Sequence, residues 1–303
     1  MTIAERIRYK LGYEILGYQQ NRLDKENYAG RKNLTIDQAG EMIAEKIRSG
    51  EPFDVIRMGI SELQFLSVHT GATRIPESFF YGLWIGDLLK NDSEIDRFVQ
   101  LYLDACENAD FAAVWYYSYA EEKIMKEHAL KAQLCPSRSV EPYYQNNPWT
   151  HALAGKKVLV VNPFAETIRK QYEKRMEIYP SGLLPEFELI AIPSVWYNTS
   201  EGNARFGNWC EALEYLESRV CQYEFDIALL GCGPFGTPLT SYIKKMGKQA
   251  IYIGGALQIL FGIRGSRWDQ VPAITAMYNE AWVSPGDDNK PSDLTNLDDG
   301  CYW

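Results

Sequence analysis

Three short stretches hold residues whose types and spacing suit phosphate or proton chemistry. The first is GCGPFG, which places Gly231, Gly233 and Gly236 in GxGxxG spacing. An apolar run precedes it and a helical period follows, which is the context that spacing needs. Glycines let the backbone turn tightly and approach a phosphate, and a helix N-terminus offers free N–H groups to an anion. A dinucleotide site also asks for an acidic residue about 20 positions on, to hold the ribose. Here that place reads YIGGALQ, without an acid. Phosphate contact therefore outlives the expectation of NAD, and a tight strand–helix turn without ligand is the plainer alternative.

The second stretch is GGALQILFGIRGSRW, in which Gly254 and Gly255 end an apolar run and Arg264 and Arg267 follow. Arginine suits phosphate because its guanidinium is planar and always charged. Solvated surface arginines are the competing reading. The third is RMGISE, in which Arg57 and Glu62 straddle Gly59. A carboxylate at a strand end can act as a general base or a metal ligand, and a simple Arg–Glu ion pair is the bland reading. His69 lies two helical turns after Glu62, on about the same face. No Ser–His–Asp set and no HxxxH pair accompanies it.

These stretches need elements to position them. Apolar runs read as strands in PFDVIRMG, FAAVWYY, AQLC, KVLVVNPF, FELIAIPS, DIALLGCG and QAIYIGG. Helical periods alternate with them. Thr35 and Gln38 form a capping box for a helix over 36–48, with Ala39, Met42, Ile43 and Ile47 on one stripe. Ser61 and Gln64 are read as the cap of the next helix. Ile95, Phe98, Val99, Tyr102 and Cys106 mark a helix over 93–107, and a charged one follows over 120–130. Phe164, Ile168, Tyr172 and Met176 mark another, and Phe206 to Val220 a long amphipathic one. Residues 136–150 read as a loop.

Apolar strands alternating with helices predict an α/β fold, a Rossmann-like and mostly parallel sheet with helices on both faces. The expected organisation is a helical N-terminal extension (1–50), a Rossmann-like core (51–283) and an irregular C-terminal tail (284–303). The tail ends on Tyr302 and Trp303, which suggests that it docks on the core.

Composition narrows the function classes. The chain has 303 residues, and 31 basic against 40 acidic side chains give a net charge of −9. An acidic chain lacks the basic footprint of a nucleic-acid binder, so no nucleic-acid partner is expected. No apolar run approaches the roughly 20 residues of a membrane span, and the charged N-terminus has no signal-peptide pattern. The six cysteines have no zinc-type pairs and read as free thiols of a reducing cytoplasm. Aromatic residues reach 13%, with 20 Tyr and 8 Trp. Such rings stack on sugars and bases, although core and interface mass is the plainer account of them.

The runs PYYQNNPWTHALAGKKVLVVNPF (142–164), LLPEFEL (183–189), FDIALLGCGPFGTPL (225–239), GKQAIYIGGALQILFGIRGSRW (247–268) and the ending CYW resemble bacterial sugar transferases of the GT-D fold group. The resemblance covers about residues 50–303. It implies a glycosyltransferase that takes a nucleotide-sugar donor, usually a UDP-sugar, and serves surface polysaccharide and glycoprotein assembly. The implied acceptor is a glycan or a lipid-linked glycan. The implied location is cytoplasmic, with encounters at the inner membrane surface, and a homo-oligomer is compatible with the sequence.

In that family the turn after the first strand reads Arg–x–Gly–Asp–Gly–Glu, and its two acids are linked to Mn²⁺ or Mg²⁺ and the donor diphosphate. The matching residues here are Arg57, Gly59, Ile60 and Glu62, so the Asp is replaced. Glu62 is the one remaining metal-ligand candidate, and hard ions want several oxygens. Arg57, Arg264, Arg267 and backbone N–H groups near Gly233 and Gly255 are then candidates to meet the diphosphate charge. Glu62 is the candidate general base. Two alternatives remain: an NAD(P)-dependent enzyme acting on a sugar or nucleotide sugar, and a non-catalytic nucleotide-sugar-binding or assembly protein.

Overall fold

The computed structural model of the chain describes residues 26–72, 89, 91–115, 119–196, 205–286, 290–291 and 300–303. The helical pattern expected of the first 30 residues falls mostly outside these, and where the chain is described a short antiparallel pair, Asn27–Tyr28 with Arg31–Lys32, stands in its place. Tyr116 and Tyr117 of FAAVWYY and most of the tail also lie outside the described residues. The main sheet has seven strands among the described residues. They are β1 Phe53–Arg57, β2 Phe111–Val114, β3 Gln133–Pro136, β4 Lys157–Val161, β5 Glu188–Ile192, β6 Ile227–Leu230 and β7 Gln249–Tyr252. Their order is β3-β2-β1-β7-β6-β4-β5. Every neighbouring pair is parallel.

The strands are almost wholly apolar because helices cover both faces of the sheet. The helices are α1 Ile36–Ser49, α2 Ile60–His69, α3 Asp92–Asn108, α4 Tyr119–His128, α5 Ala165–Glu173, α6 Trp209–Val220 and α7 Gly236–Lys245. Apolar residues of α2, α3, α4, α6 and α7 share one core cluster with one face of the sheet. Those of α1, α5 and the one-turn helix Leu257–Leu260 share another with the opposite face. The fold is therefore the expected α/β, Rossmann-like one.

Local sequence accounts for most element ends. Thr35 caps α1, both halves of its capping box form, and Gly50 ends the helix with φ +73°. Asn91 caps α3 and Asn208 caps α6 through their side chains. Two expectations differ. Helix α2 starts at Ile60 with Gly59 as its N-cap and no side-chain cap, so Ser61 falls inside the first turn. Helix α5 stops at Glu173 and a separate turn, Arg175–Ile178, follows. The bend at Lys174 breaks the 3.6-residue period, which turns Met176 outward to 55% exposure while Ile178 is buried.

Candidate active site at the C-terminal edge of the sheet

Strand continuations part in alternate directions along the middle of the sheet. After β1 and β6 the chain packs on one face, and after β4 and β7 on the other. In open parallel sheets a crevice for ligands lies outside the strand C-termini where such continuations diverge. The ends of β1, β7, β6 and β4 line that crevice, and the three chemistry-bearing stretches fall there.

Arg57 is the last residue of β1. Its carbonyl accepts from Thr237 Oγ1 at 2.5 Å, which ties it to α7. Its guanidinium donates to the Ile253 carbonyl just after β7 and lies 4.3 Å from the centre of the Trp115 ring. Trp115 is fixed in turn by donating its Nε1–H to the Met58 carbonyl at 2.8 Å. Glu141 Oε1 stands 3.8 Å from Arg57 Nη1, too long for a hydrogen bond, with side-chain exposures of 11% for Arg57 and 12% for Glu141. The other Glu141 oxygen accepts from Tyr143 Oη at 2.8 Å. Burial, and then the Glu141 charge, push the Tyr143 hydroxyl well above its usual pKa. The phenol therefore stays a donor to Glu141.

Glu62 lies in the first turn of α2, where the helix dipole favours a carboxylate. It is 4% exposed. Its carboxylate folds over Gly59, and a Cβ there would collide with it. Its charge also raises the hydroxyl pKa of Tyr102 and Tyr252, second to burial. Those hydroxyls donate to the carbonyls of Pro234 at 2.7 Å and Gly233 at 2.8 Å. Glu62 thus shares a buried neighbourhood with the two tyrosines that hold the glycine turn. His69, expected on the same helix face, is exposed and stacks on Phe65 at 4.3 Å.

The glycines divide by role. A Cβ on Gly231 would stand 2.6 Å from Asn162 Nδ2 and 2.9 Å from the Gly254 carbonyl. A Cβ on Gly236 would collide with the Tyr252 ring. Both therefore permit close packing. Gly233 (φ +58°) and Gly254 (φ +74°) instead supply left-handed backbone. Gly233 is exposed, with open space where a Cβ would be. Gly254 packs under Arg57, whose Nη1 would be 3.4 Å from its Cβ. Gly255 would meet Tyr302 at 2.9 Å and Arg267 Nη1 at 3.5 Å.

The two arginines of the second stretch part company. Arg267 is exposed beside Gly255 and donates to Tyr302 Oη at 3.2 Å. Arg264 turns to the segment beyond α7, donating to the Asn279 carbonyl at 3.1 Å and stacking on Tyr278 at 4.8 Å. Its guanidinium is committed there, apart from the Arg57–Gly254 contact.

Glu141, Trp115 and Asn162 are site residues that the sequence reading passed over. Asn162 Nδ2 donates to the Gly231 carbonyl at 3.1 Å while its Oδ1 accepts from the Phe164 N–H at 2.9 Å. An Asn followed by Pro at a strand end is a turn signal that marks this position. Glu141 sits among short 3₁₀ turns after β3, where spacing carries no signal.

A divalent cation does not fit the residues described. Ile60 occupies the place of the Asp that the resemblance implies and is 41% exposed. Glu62 is turned onto Gly59, and among the described residues no three His, Cys, Asp or Glu side chains cluster as a metal site would require. No helix among the described residues is long and apolar enough to cross a membrane. All six cysteines are free thiols.

No family model and no curated protein matches the chain. Two solved structures do, each at 13% identity. One, a selenomethionine-substituted structure of domain of unknown function 1792, has a TM-score of 0.42, with 94% of this chain and 98% of that chain covered. The other has a TM-score of 0.43, with 95% and 98% covered, and is described as showing that the highly conserved domain of unknown function 1792 has a distinct glycosyltransferase fold.

Proposed function

We propose that the protein is a glycosyltransferase whose nucleotide-sugar donor, a UDP-sugar by the motif resemblance, binds in the crevice at the C-terminal strand ends. The acceptor is a glycan or lipid-linked glycan of surface polysaccharide synthesis. The observation that carries this reading is the convergence of Arg57, Glu62 and the open Gly233 turn on one crevice from strands distant in sequence.

Transfer requires the acceptor oxygen to attack the anomeric carbon while the bond to the diphosphate breaks. The diphosphate leaves with the electron pair, so positive groups must be in place beforehand. Arg57 is preorganised by Ile253 and Trp115, and Arg267 stands beside Gly255. Backbone N–H groups at the Gly233 and Gly255 turns add to them. The acceptor proton goes to Glu62, a general base or positioning carboxylate near the Gly233 turn. With one carboxylate at the Asp-x-Glu position, arginine and backbone dipoles meet the leaving-group charge in place of a metal.

The test is a thermal-shift series with UDP, GDP, CDP, NAD and NADP, each with Mn²⁺ and with chelator. A ligand at 100 times its Kd adds about 2.7 kcal/mol of stability. Stabilisation by a nucleoside diphosphate, unchanged by chelator, is the expected result. Stabilisation by NAD alone would return the function to a dehydrogenase-type enzyme on the strength of Gly231, Gly233 and Gly236. No shift with any ligand would favour a non-catalytic assembly protein.

A further inference from the structure

Beyond Gly255 the crevice is bordered by aromatic rings drawn from widely separated parts of the chain. Phe164 follows β4, Trp196 follows β5, Trp268 lies past the Leu257–Leu260 turn, and Tyr302 and Trp303 come from the tail. Phe164 and Trp268 are buried, whereas Trp196, Tyr302 and Trp303 are partly exposed. The buried pair buttresses the other three. Phe164 meets Trp303 edge-on at 5.4 Å and Trp196 at 5.9 Å, and Trp268 lies 6.2 Å from Tyr302. Trp196 is 5.6 Å from Trp303 and 6.5 Å from Tyr302, at interplanar angles of 36° and 46°.

The shelf is continuous with the phosphate-suited turn. Tyr302 is the ring that a Cβ on Gly255 would touch at 2.9 Å, and the Arg267 guanidinium lies 4.8 Å from the centre of that ring. Backbone hydrogen bonds hold the shelf's outer rings in place: Ser266 N–H donates to the Trp303 carbonyl and Arg267 N–H to the Cys301 carbonyl, both at 3.0 Å. A cation and a glycine turn beside partly exposed rings match a ligand that joins a diphosphate to a flat apolar ring.

We infer that Trp196, Tyr302 and Trp303 form the stacking surface for the nucleobase of the nucleoside diphosphate. This rests on the donor reading above. Every base has a π-face, and loss of one stacking ring weakens base binding by about tenfold or more. The base binds on the β4–β5 side of the crevice, which leaves the Arg57–Glu62 side to the transferred sugar and acceptor.

The experiment titrates intrinsic tryptophan fluorescence with whichever of UDP, GDP and CDP binds tightest, and separately follows inorganic pyrophosphate by calorimetry. In the wild type the nucleotide quenches tryptophan and binds more tightly than pyrophosphate. Trp196→Ala is expected to lose about tenfold or more in nucleotide affinity with pyrophosphate binding unchanged, which also reports an intact fold. Trp196→Phe is expected to restore most of the loss. Trp303→Ala tests the neighbouring ring in the same way. Wild-type nucleotide affinity in both alanine variants would overturn the shelf while leaving the donor reading standing. Equal losses for nucleotide and pyrophosphate would overturn it too, because the rings would then act on the phosphate turn. A wild type that binds neither probe would overturn both readings.

Discussion

The two ends of strand β1 treat charge in opposite ways. At its C-terminal end Arg57 stands 3.8 Å from Glu141, beside an exposed glycine turn. At its start Asp54 is fully buried, and Lys244 of α7 joins it at 3.3 Å and Asp110 at 2.7 Å. Lys244 also donates to the Asn108 carbonyl, so its three donors are all used. Asp54 Oδ1 accepts from the Asp110 N–H at 2.9 Å, and Asp110 Oδ2 accepts from the Asp54 N–H at 3.1 Å. A cavity of about 490 Å³ opens beside this knot, lined by Lys46, Lys131, Phe111 and Lys244 among others. A cavity alone is therefore a poor guide to chemistry here. The network tethers β1, β2 and α7 to one another, while at the other edge Arg57 is held in place by Ile253 and Trp115 beside a glycine turn that is open to solvent, as a ligand site needs.

The largest effect that separates the two ends is catalytic. Glu62→Gln removes a proton acceptor but keeps the shape that packs on Gly59. Transfer is expected to fall by about 100-fold or more, with the melting temperature near that of the wild type. Initial rates with a UDP-sugar and acceptor, beside a melting curve, check this. Undiminished transfer would remove Glu62 from the reaction and return the crevice to a binding role.

Lys244→Met is the converse change. It keeps the apolar stem but leaves Asp54 and Asp110 facing each other without a cation. Removing one partner of a buried pair costs about 3 kcal/mol or more. Urea unfolding measures that loss, and the surviving folded protein is expected to bind nucleotide as before. If Lys244→Met abolished binding without loss of stability, the division between a structural edge and a functional edge would fail.

The same knot sets a pH dependence. Burial raises the Asp54 carboxyl from 3.8 to about 6, against the opposing pull of Lys244. The native state then holds a proton that the unfolded chain has released, so this group favours folding most below pH about 4. That contribution is lost as pH rises through about 6, since native Asp54 must then ionise in a buried place. Unfolding free energies from pH 4 to 7 are expected to show this fall. Asp54→Asn, which keeps an acceptor for the Asp110 N–H, is expected to flatten it.

The sequence exposes local features of both ends but not how they meet. Thr35 with Gln38, the apolar strands and the strand-to-helix turn at Gly231–Gly236 are written in neighbouring residues, and the capping box, the parallel strands and the turn all form. The adjacency of β7 to β1 is a pairing across nearly 200 residues, with Phe53 opposite Gln249, and no local period encodes it. The partners of Arg57 follow from that adjacency. Glu141 comes from an irregular segment and Trp115 from the residue just past β2, so their approach to Arg57 is a product of topology. Arg264 and Arg267 look alike in sequence, but one turns to Asn279 and Tyr278 while the other stays beside Gly255. The short helix before them ends at Leu260, and where its exit loop points is a matter of packing.

The finest test lies inside the glycine motif, where two glycines separated by a single residue have different reasons to be glycine. At Gly231 an added Cβ would press on Asn162 and on the Gly254 carbonyl, which is backbone and cannot rotate away. At Gly233 there is open space, and the cost of alanine is that of left-handed backbone, about 1 kcal/mol. Gly233→Ala is therefore expected to lower stability by about that amount in urea. Its methyl would stand on the exposed surface that a diphosphate must approach, so nucleotide affinity is expected to fall while Gly233→Asn, a residue that tolerates left-handed backbone, recovers the stability and not the affinity. Equal affinity in wild type and both variants would move the phosphate away from this turn and towards Gly255 and Arg267.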